Sequence, residues 1–166
     1  MVRKSLIGSV AVGLVFALLC SVRAQTEKSL PDCKVNAAKN IVGNRLILIL
    51  PTDVKAKKGF DVDYGYYSFG YPLGKDDAFL RGIYGPNATN GTVPSWFTNG
   101  SSEIVTRTWK SSGASGVDAI GKDSSGKRRR YLGMFGEAVS YQGASESAAQ
   151  YYDKMIDAVC FSDWHR

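Results

Sequence analysis

Residues 117–141 read VDAIGKDSSGKRRRYLGMFGEAVSY, and they are the clearest evidence of sheet structure in this chain. The segment Asp123-Ser124-Ser125-Gly126 in their middle is a typical turn sequence. We therefore predict a β-hairpin whose arms are Val117 to Lys122 and Lys127 to Tyr141, the second arm being long. Along the second arm, large apolar residues alternate with smaller ones, as expected of a strand with one buried face.

Further strands are predicted on the N-terminal side of the hairpin. The segments Ala78 to Tyr84 and Ile104 to Lys110 are rich in the β-branched and aromatic residues that suit a pleated surface. The run Leu46-Ile47-Leu48-Ile49-Leu50 is continuously apolar and ends at Pro51, which predicts a central strand buried on both faces. Residues 86–102 are mostly Gly, Pro, Asn, Ser and Thr, so we predict a loop there.

Residues 59–74 combine many aromatic rings with glycines. A single strand that begins at Phe60 would place the even-numbered residues through Tyr66 on the core face. The odd-numbered rings would then emerge on the opposite face, where glycines let a ligand approach closely. We predict that Tyr67, Phe69 and Tyr71 form a binding surface, since exposed rings stack on glycans or partner proteins. The alternative is that these rings are ordinary core.

The last element is predicted to be an amphipathic helix. Ser145 is a suitable N-cap, with Glu146 in the first turn. Apolar residues then recur at spacings of three and four: Ala148, Tyr152, Met155, Ile156 and Val159. The predicted fold class is therefore α+β, with a mainly antiparallel sheet packed by a C-terminal helix. This order of elements resembles that of small exported PsbP-like domains, and the resemblance implies the same α+β architecture.

The N-terminus has the features of a cleavable signal peptide. Arg3 and Lys4 precede an uncharged apolar segment, and Val22-Arg23-Ala24 has the small residues that signal peptidase accepts. We predict that residues 1–24 are the signal and that residues 25–166 form a single globular domain, a usual size for one core. The apolar segment is short for a membrane span. Lipidation at Cys20 and an uncleaved anchor are the alternatives.

Charge gives little support for a nucleic-acid partner. The chain has 21 basic and 15 acidic residues, for a formal charge of +6. Three of the basic residues, Arg3, Lys4 and Arg23, belong to the predicted signal, which leaves 18 basic residues against 15 acidic ones. We therefore predict no nucleic-acid binding.

Two cysteines remain after the predicted cleavage, Cys33 and Cys160. In an oxidising compartment they are expected to form one disulfide that closes nearly the whole domain. A redox pair or a metal site is the alternative, but no Cys-x-x-Cys spacing is present and the only histidine is His165. Walker and dinucleotide-binding motifs are also missing from the sequence, so no cofactor is predicted.

A catalytic site is hard to assemble from these residues. His165 is the only histidine, which argues against serine and cysteine hydrolases. A glycan-directed hydrolase needs only two carboxylates. The acidic candidates are Asp61, Asp63, Asp76, Asp77 and Glu137. Glu137 shares a predicted strand face with apolar residues, so burial would require a partner such as Arg81 or Arg107.

Two polar segments are expected to lie at the surface. The basic run Lys127 to Arg130 is expected to serve solubility and edge protection, with lipid phosphates or acidic glycans as the alternative. Asn87, Asn90 and Asn99 each begin an N-glycosylation triplet, which matters only in a host that modifies such sites.

The sequence thus predicts a secreted or periplasmic, non-enzymatic domain that binds a protein or a glycan or associates with the cell envelope, without a membrane span after cleavage. The alternative is a small secreted hydrolase that acts on glycans through carboxylates.

Overall fold

The computed structural model describes residues 27–33, 40–74 and 76–163, so the predicted signal at 1–24 lies outside the described residues. Half of the described residues lie in strands and 12% in helices. The predicted α+β class is therefore wrong, because the protein is mostly β. The chain folds back more often than the sequence patterns indicated, so segments that were interpreted as single strands are pairs of strands.

The strands and helices follow one another closely along the described chain. In chain order they are β1 (Lys28–Ser29), β2 (Ile41–Val42), β3 (Leu46–Ile49), β4 (Lys57–Phe60), β5 (Gly65–Gly70), β6 (Phe79–Tyr84), α1 (Ser95–Thr98), β7 (Ser101–Ser111), β8 (Ala114–Asp123), β9 (Arg128–Met134), β10 (Glu137–Ala144), α2 (Glu146–Asp157) and β11 (Cys160–Phe161).

Two sheets make up the fold. The large sheet has eight strands in the order β1-β7-β8-β9-β10-β6-β5-β4, and the small one has the order β11-β3-β2. Neighbours in the large sheet are antiparallel except β1, which pairs with β7 in parallel, so this sheet is mixed. The apolar run around Leu46 is central only in the small sheet, where Leu46, Ile47 and Leu48 are buried and Ile49 is half exposed.

The hairpin predicted around Asp123 is confirmed. Lys122 pairs with Arg128, and the Asp123 carboxylate accepts backbone hydrogen bonds from Ser125 at 2.9 Å and Lys127 at 3.0 Å. The long second arm is two strands, since the chain reverses at Gly136 with a φ of +79°. This reversal places β8, β9 and β10 side by side in the sheet.

The strand predicted from Phe60 is also a hairpin. The chain turns between β4 and β5, where the Asp61 N–H donates to the Tyr64 carbonyl at 2.8 Å. The turn resets the alternation of faces, so Tyr67 and Phe69 point into the core while Phe60 and Val62 are exposed. The face assignment made from the sequence is therefore inverted.

The large sheet has a different cover on each face. One face packs against α2 and β3 in the main core, which contains Leu80, Leu132, Val139 and Ile156. On the other face, a smaller cluster forms around Phe97 of α1. The segment that leads into α1 covers only part of this second face, and a cleft remains beside it.

The C-terminal helix and the disulfide agree with the sequence analysis. Ser145 Oγ accepts a hydrogen bond from the Ala148 N–H, which confirms the predicted cap. Cys33 and Cys160 form a disulfide, with their Cα atoms 5.0 Å apart, which confirms the predicted bond. In the described part of the chain, no helix has the length and apolar character needed to cross a membrane.

Candidate functional site

A cleft of about 670 Å³ opens on the second face of the large sheet. Its floor is formed by two neighbouring strands, β6 and β10. Arg81 and Ile83 contribute from β6, and their register partners Ser140 and Ala138 contribute from β10. Because alternate residues of a strand share a face, all four side chains point into the same space.

The wall of the cleft is the segment that follows β6, up to and including α1. Thr89 Oγ1 lies 2.8 Å from the hydroxyl of Tyr131 on β9, and the Thr89 carbonyl accepts from the Gly136 N–H at 2.9 Å. Gly91, with a φ of +81°, passes so close that a Cβ there would lie 2.9 Å from the Phe135 nitrogen. The wall is thus fixed to the sheet by hydrogen bonds and by close backbone packing.

Arg129 of β9 holds α1, the last part of the wall, against the sheet. Its Nη1 donates to the Phe97 carbonyl at 3.0 Å and to Ser101 Oγ at 2.8 Å, and its guanidinium lies 5.9 Å from the Phe97 ring centroid. These contacts hold α1 against the sheet, and Phe97 is fully buried. The neighbouring Trp96 is 42% exposed and faces the cleft.

This arrangement corrects the interpretation of the basic run. Arg129 and Arg130 are buried in a central strand and neither is a surface charge. Arg130 lies on the opposite face from Arg129, where it bonds Asp118 at 2.9 and 3.0 Å and reaches Asp153 and Asp157 of α2. The two arginines therefore fasten a helix to each face of the sheet.

Aromatic rings surround the cleft on several sides. Trp96 stands on the wall, with its ring 6.2 Å from that of Tyr131 in an edge-on arrangement. Phe79, half exposed, and Tyr64 line the cleft from the β6 side. Burial raises the pKa of Tyr131, and the hydrogen bond with Thr89 opposes the shift. The rings offer flat apolar surface to a molecule that enters from solvent.

A smaller set of polar groups lies among these rings. Arg81 is exposed, and its guanidinium lies 5.5 Å from the centroid of the Tyr66 ring. Ser140 and Gln142 follow at alternate positions of β10. Among the described residues, the side chains of Arg81, Ser140 and Gln142 have no hydrogen-bond or ion-pair partner. These groups are therefore available to a ligand.

The predicted binding residues lie elsewhere. Tyr67 and Phe69 are 1% and 5% exposed and belong to the main core, and burial raises the pKa of Tyr67. Tyr71 is half-buried, with its ring 5.5 Å from that of Tyr151. The prediction that Tyr67 and Phe69 are exposed is wrong, because the turn after Phe60 inverts the faces. A binding role for the partly exposed Tyr71 stays a prediction. The sequence signal that could have located the cleft was Trp96, a large aromatic residue within the predicted loop at 86–102.

Glu137 is buried, and its partners differ from the arginines considered in the sequence analysis. Its carboxylate accepts backbone hydrogen bonds from Asn44, Arg45 and Leu46 at 2.6 to 3.0 Å, so neither Arg81 nor Arg107 is its partner. Burial raises the pKa of Glu137, and these three donors oppose the shift. The carboxylate fastens the turn before β3 to the start of β10, which is a structural role.

The remaining acidic candidates do not converge on the cleft. Asp61 and Asp63 lie in the exposed β4–β5 turn, and Asp76 bonds the backbone of Ala78 and Ser145. Among the described residues that line the cleft, Asp77 is the one carboxylate. No group of three or more metal-ligating side chains occurs in the part of the chain that the structure describes.

The three glycosylation triplets border the wall. Asn87, Asn90 and Asn99 are all exposed, and Asn90 Oδ1 accepts from Thr92 Oγ1 at 2.8 Å. Asn90 also lines a second cavity of about 580 Å³, together with Trp109 and the 68% exposed Phe135. Use of the triplets stays a prediction.

Comparisons with protein-family models, with curated proteins and with solved structures find no match to this chain. The resemblance to PsbP-like domains accordingly stays a prediction, and the function must be argued from the geometry of the cleft.

Proposed function

We propose that this protein is an exported, non-enzymatic binding domain whose ligand is a small molecule with an apolar body, held in the cleft between the β6–β10 floor and the Trp96 wall. The observation that carries the proposal is the cleft itself. Its volume of about 670 Å³ falls within the usual range for sites that take small molecules.

The composition of the cleft supports binding over hydrolysis. Rings and aliphatic groups form most of the lining, with a few polar groups between them, which is typical of ligand sites. Hydrolysis by carboxylates would use two of them on opposite sides of the bond that breaks. Asp77 is the single described carboxylate at the cleft, and Glu137 is engaged by three backbone N–H groups.

The rigidity of the wall also supports binding. Thr89 is fixed to Tyr131, and Phe97 below Trp96 is held by Arg129. A wall fixed in this way loses little conformational freedom when a ligand enters, so less of the binding free energy is spent on ordering the site.

Export rests on the predicted signal peptide, with support from the disulfide. Bonds such as Cys33–Cys160 persist in oxidising compartments. N-terminal sequencing of the protein recovered from the medium or periplasm is expected to begin at Gln25. A chain that keeps residues 1–24 would contradict the export of a mature form.

The binding proposal is tested with N-phenyl-1-naphthylamine, an uncharged dye that fluoresces in apolar surroundings. The full mature protein should bind it at one site, and Trp96→Ala should weaken binding about fivefold or more, as for other interface aromatics. Phe79→Ala, on the other side of the cleft, should act in the same direction.

Phe135→Ala is the matched control, since Phe135 is an exposed ring outside the cleft. It should leave dye affinity unchanged. Circular dichroism and melting of each variant will show that the fold is retained. The proposal is overturned if Trp96→Ala and Phe79→Ala both fold and bind the dye with the affinity of the parent. It is also overturned if Phe135→Ala is the one variant that loses dye binding.

A further inference from the structure

The polar groups of the cleft indicate the charge of its ligand. We infer that the ligand is a small amphiphile with one anionic headgroup, and that Arg81 is the residue that recognises this headgroup. The inference rests on the proposed function and adds the chemical class of the ligand.

Arg81 is placed on the floor by its position in the sheet. It pairs in register with Ser68 on one side and with Ser140 on the other, so hydroxyl groups flank its side chain on both neighbouring strands. Residues in register on adjacent strands point to the same face of a sheet. Two hydroxyls and a guanidinium therefore form a row of hydrogen-bond donors across three strands.

The guanidinium is also held in place without its donors being used. It lies over the Tyr66 ring, 5.5 Å from the ring centroid, in a cation–π contact. Stacking uses the flat face of a guanidinium and leaves the N–H groups at its edge free to form a fork toward a carboxylate, sulfonate or phosphate. No described carboxylate lies within ion-pair distance of Arg81.

Four of the five other arginines of the described chain differ in this respect, and the fifth, Arg45, lies over the Phe161 ring at 5.0 Å and does not line the cleft. Arg107, Arg128 and Arg130 each pair with at least one described carboxylate, and Arg129 is engaged by the Phe97 carbonyl and Ser101. Arg81 remains unpaired at an open cleft. The acidic group at the cleft, Asp77, is exposed and lies four residues earlier in the chain, just before β6.

The apolar body of the ligand can bind next to the row formed by Ser68, Arg81 and Ser140. Ile83 and the buried Ala138 continue the floor one step along the same two strands, and Trp96 lines the same cleft. A ligand with its headgroup at Arg81 would lay its apolar part over Ile83 and against Trp96. This division of the cleft favours an amphiphile over a glycan, whose hydroxyl groups would face the apolar half.

Two dyes with the same ring framework separate charge from apolar contact. N-phenyl-1-naphthylamine is neutral, and 1-anilinonaphthalene-8-sulfonate carries one sulfonate. The protein should bind the sulfonate dye about tenfold tighter or more, as expected for hydrogen bonds to a charged group. This preference should fall as sodium chloride is added, because salt screens the charge pair.

Arg81→Gln should weaken binding of the sulfonate dye about tenfold more than binding of the neutral dye, and so remove the preference. Lys55→Gln removes an exposed positive charge outside the cleft and should change neither affinity. Decanoate and decyl phosphate should displace the neutral dye from the parent at lower concentration than decanol does. A comparison of decanoate with decyl phosphate shows whether the cleft prefers a carboxylate or a phosphate. In Arg81→Gln the three competitors should become equal.

The inference is overturned if the two dyes bind the parent equally, or if Arg81→Gln keeps the preference for the sulfonate. Either result would leave the proposed function intact, provided that the neutral dye still binds in a manner that depends on Trp96. If the parent protein does not bind the neutral dye, the proposed function itself is contradicted.

Discussion

The Thr89 hydroxyl lies 2.8 Å from the Tyr131 hydroxyl, although 42 positions separate the two residues in the chain. This contact joins the wall of the cleft to the sheet beneath it. Tyr131 is 2% exposed, so its hydroxyl depends on Thr89 for a partner inside the protein. The position of the wall therefore depends in part on this side-chain hydrogen bond, beside the backbone hydrogen bond from Gly136 to Thr89.

Thr89→Val should lower the free energy of unfolding by about 1 to 3 kcal/mol, because it leaves the buried Tyr131 hydroxyl without a partner. It should also weaken binding of N-phenyl-1-naphthylamine, since the wall is less firmly held. Urea denaturation measures the first effect and dye titration the second.

The double variant Thr89→Val with Tyr131→Phe serves as the control, because it removes both hydroxyls. It should be no less stable than Thr89→Val alone, since no buried polar group is then orphaned. If the loss of stability in the double variant equals the sum of the losses in Thr89→Val and Tyr131→Phe, the two hydroxyls do not interact.

Asp76 gives a pH-dependent prediction. Its carboxylate accepts backbone hydrogen bonds from Ala78 and Ser145, both at 2.9 Å, and so ties the start of β6 to the cap of α2. Hydrogen bonding by Ser145 lowers the pKa of Asp76 below its ordinary value of 3.8, with help from the Ala78 N–H, while burial opposes the shift.

A carboxylate with a lowered folded-state pKa stabilises the protein above its unfolded-state pKa, and this contribution is lost as the pH falls through the folded-state pKa. Asp76→Asn should therefore be less stable than the parent at neutral pH, and the difference should shrink below pH 3.8. Melting temperatures between about pH 2 and pH 7 will test this window.

Asp77→Asn is the matched control, because Asp77 is exposed and makes no hydrogen bond with a described residue. Its stability should follow that of the parent at every pH. A constant gap between Asp76→Asn and the parent down to the lowest pH would contradict the assignment.

The Cys33–Cys160 disulfide spans 127 positions, so it restricts the unfolded chain strongly. Replacing both cysteines by serine should lower the free energy of unfolding by up to about 5 kcal/mol on the chain-entropy estimate. Reduction of the parent with dithiothreitol should produce a similar loss. If the oxidised parent, the reduced parent and the double variant are equally stable, the disulfide does not contribute to the free energy of unfolding.

Local signals explain which parts of the fold could be predicted from sequence. The Asp123 turn and the Ser145 cap depend on hydrogen bonds within a few residues, and both were predicted correctly. The β4–β5 turn was missed because Asp61-Val62-Asp63 continues the alternation of polar and apolar residues through the turn itself. Val62 is 94% exposed, so its apolar character gave a false indication of a buried face.

The cleft could not be predicted because it is formed by contacts distant in sequence. Its floor needs the register of β6 against β10, and its wall needs Thr89 to meet Tyr131. The partners of Glu137 were missed for a related reason, since they are backbone N–H groups of a turn that is 91 to 93 positions away. Side-chain types in the sequence carry no information about such backbone donors.

The central claim is that the cleft holds the ligand. The most direct test is to titrate the isotope-labelled mature protein with N-phenyl-1-naphthylamine and follow the chemical shifts of its backbone amides. We expect the largest changes at Thr89, Ile83 and Ser140, around the floor and wall. The amides of Ser124 and Ser125, in the exposed turn between β8 and β9 outside the cleft, should change little. Changes that cluster at Phe135 or at Val62, with the cleft residues unaffected, would contradict the account.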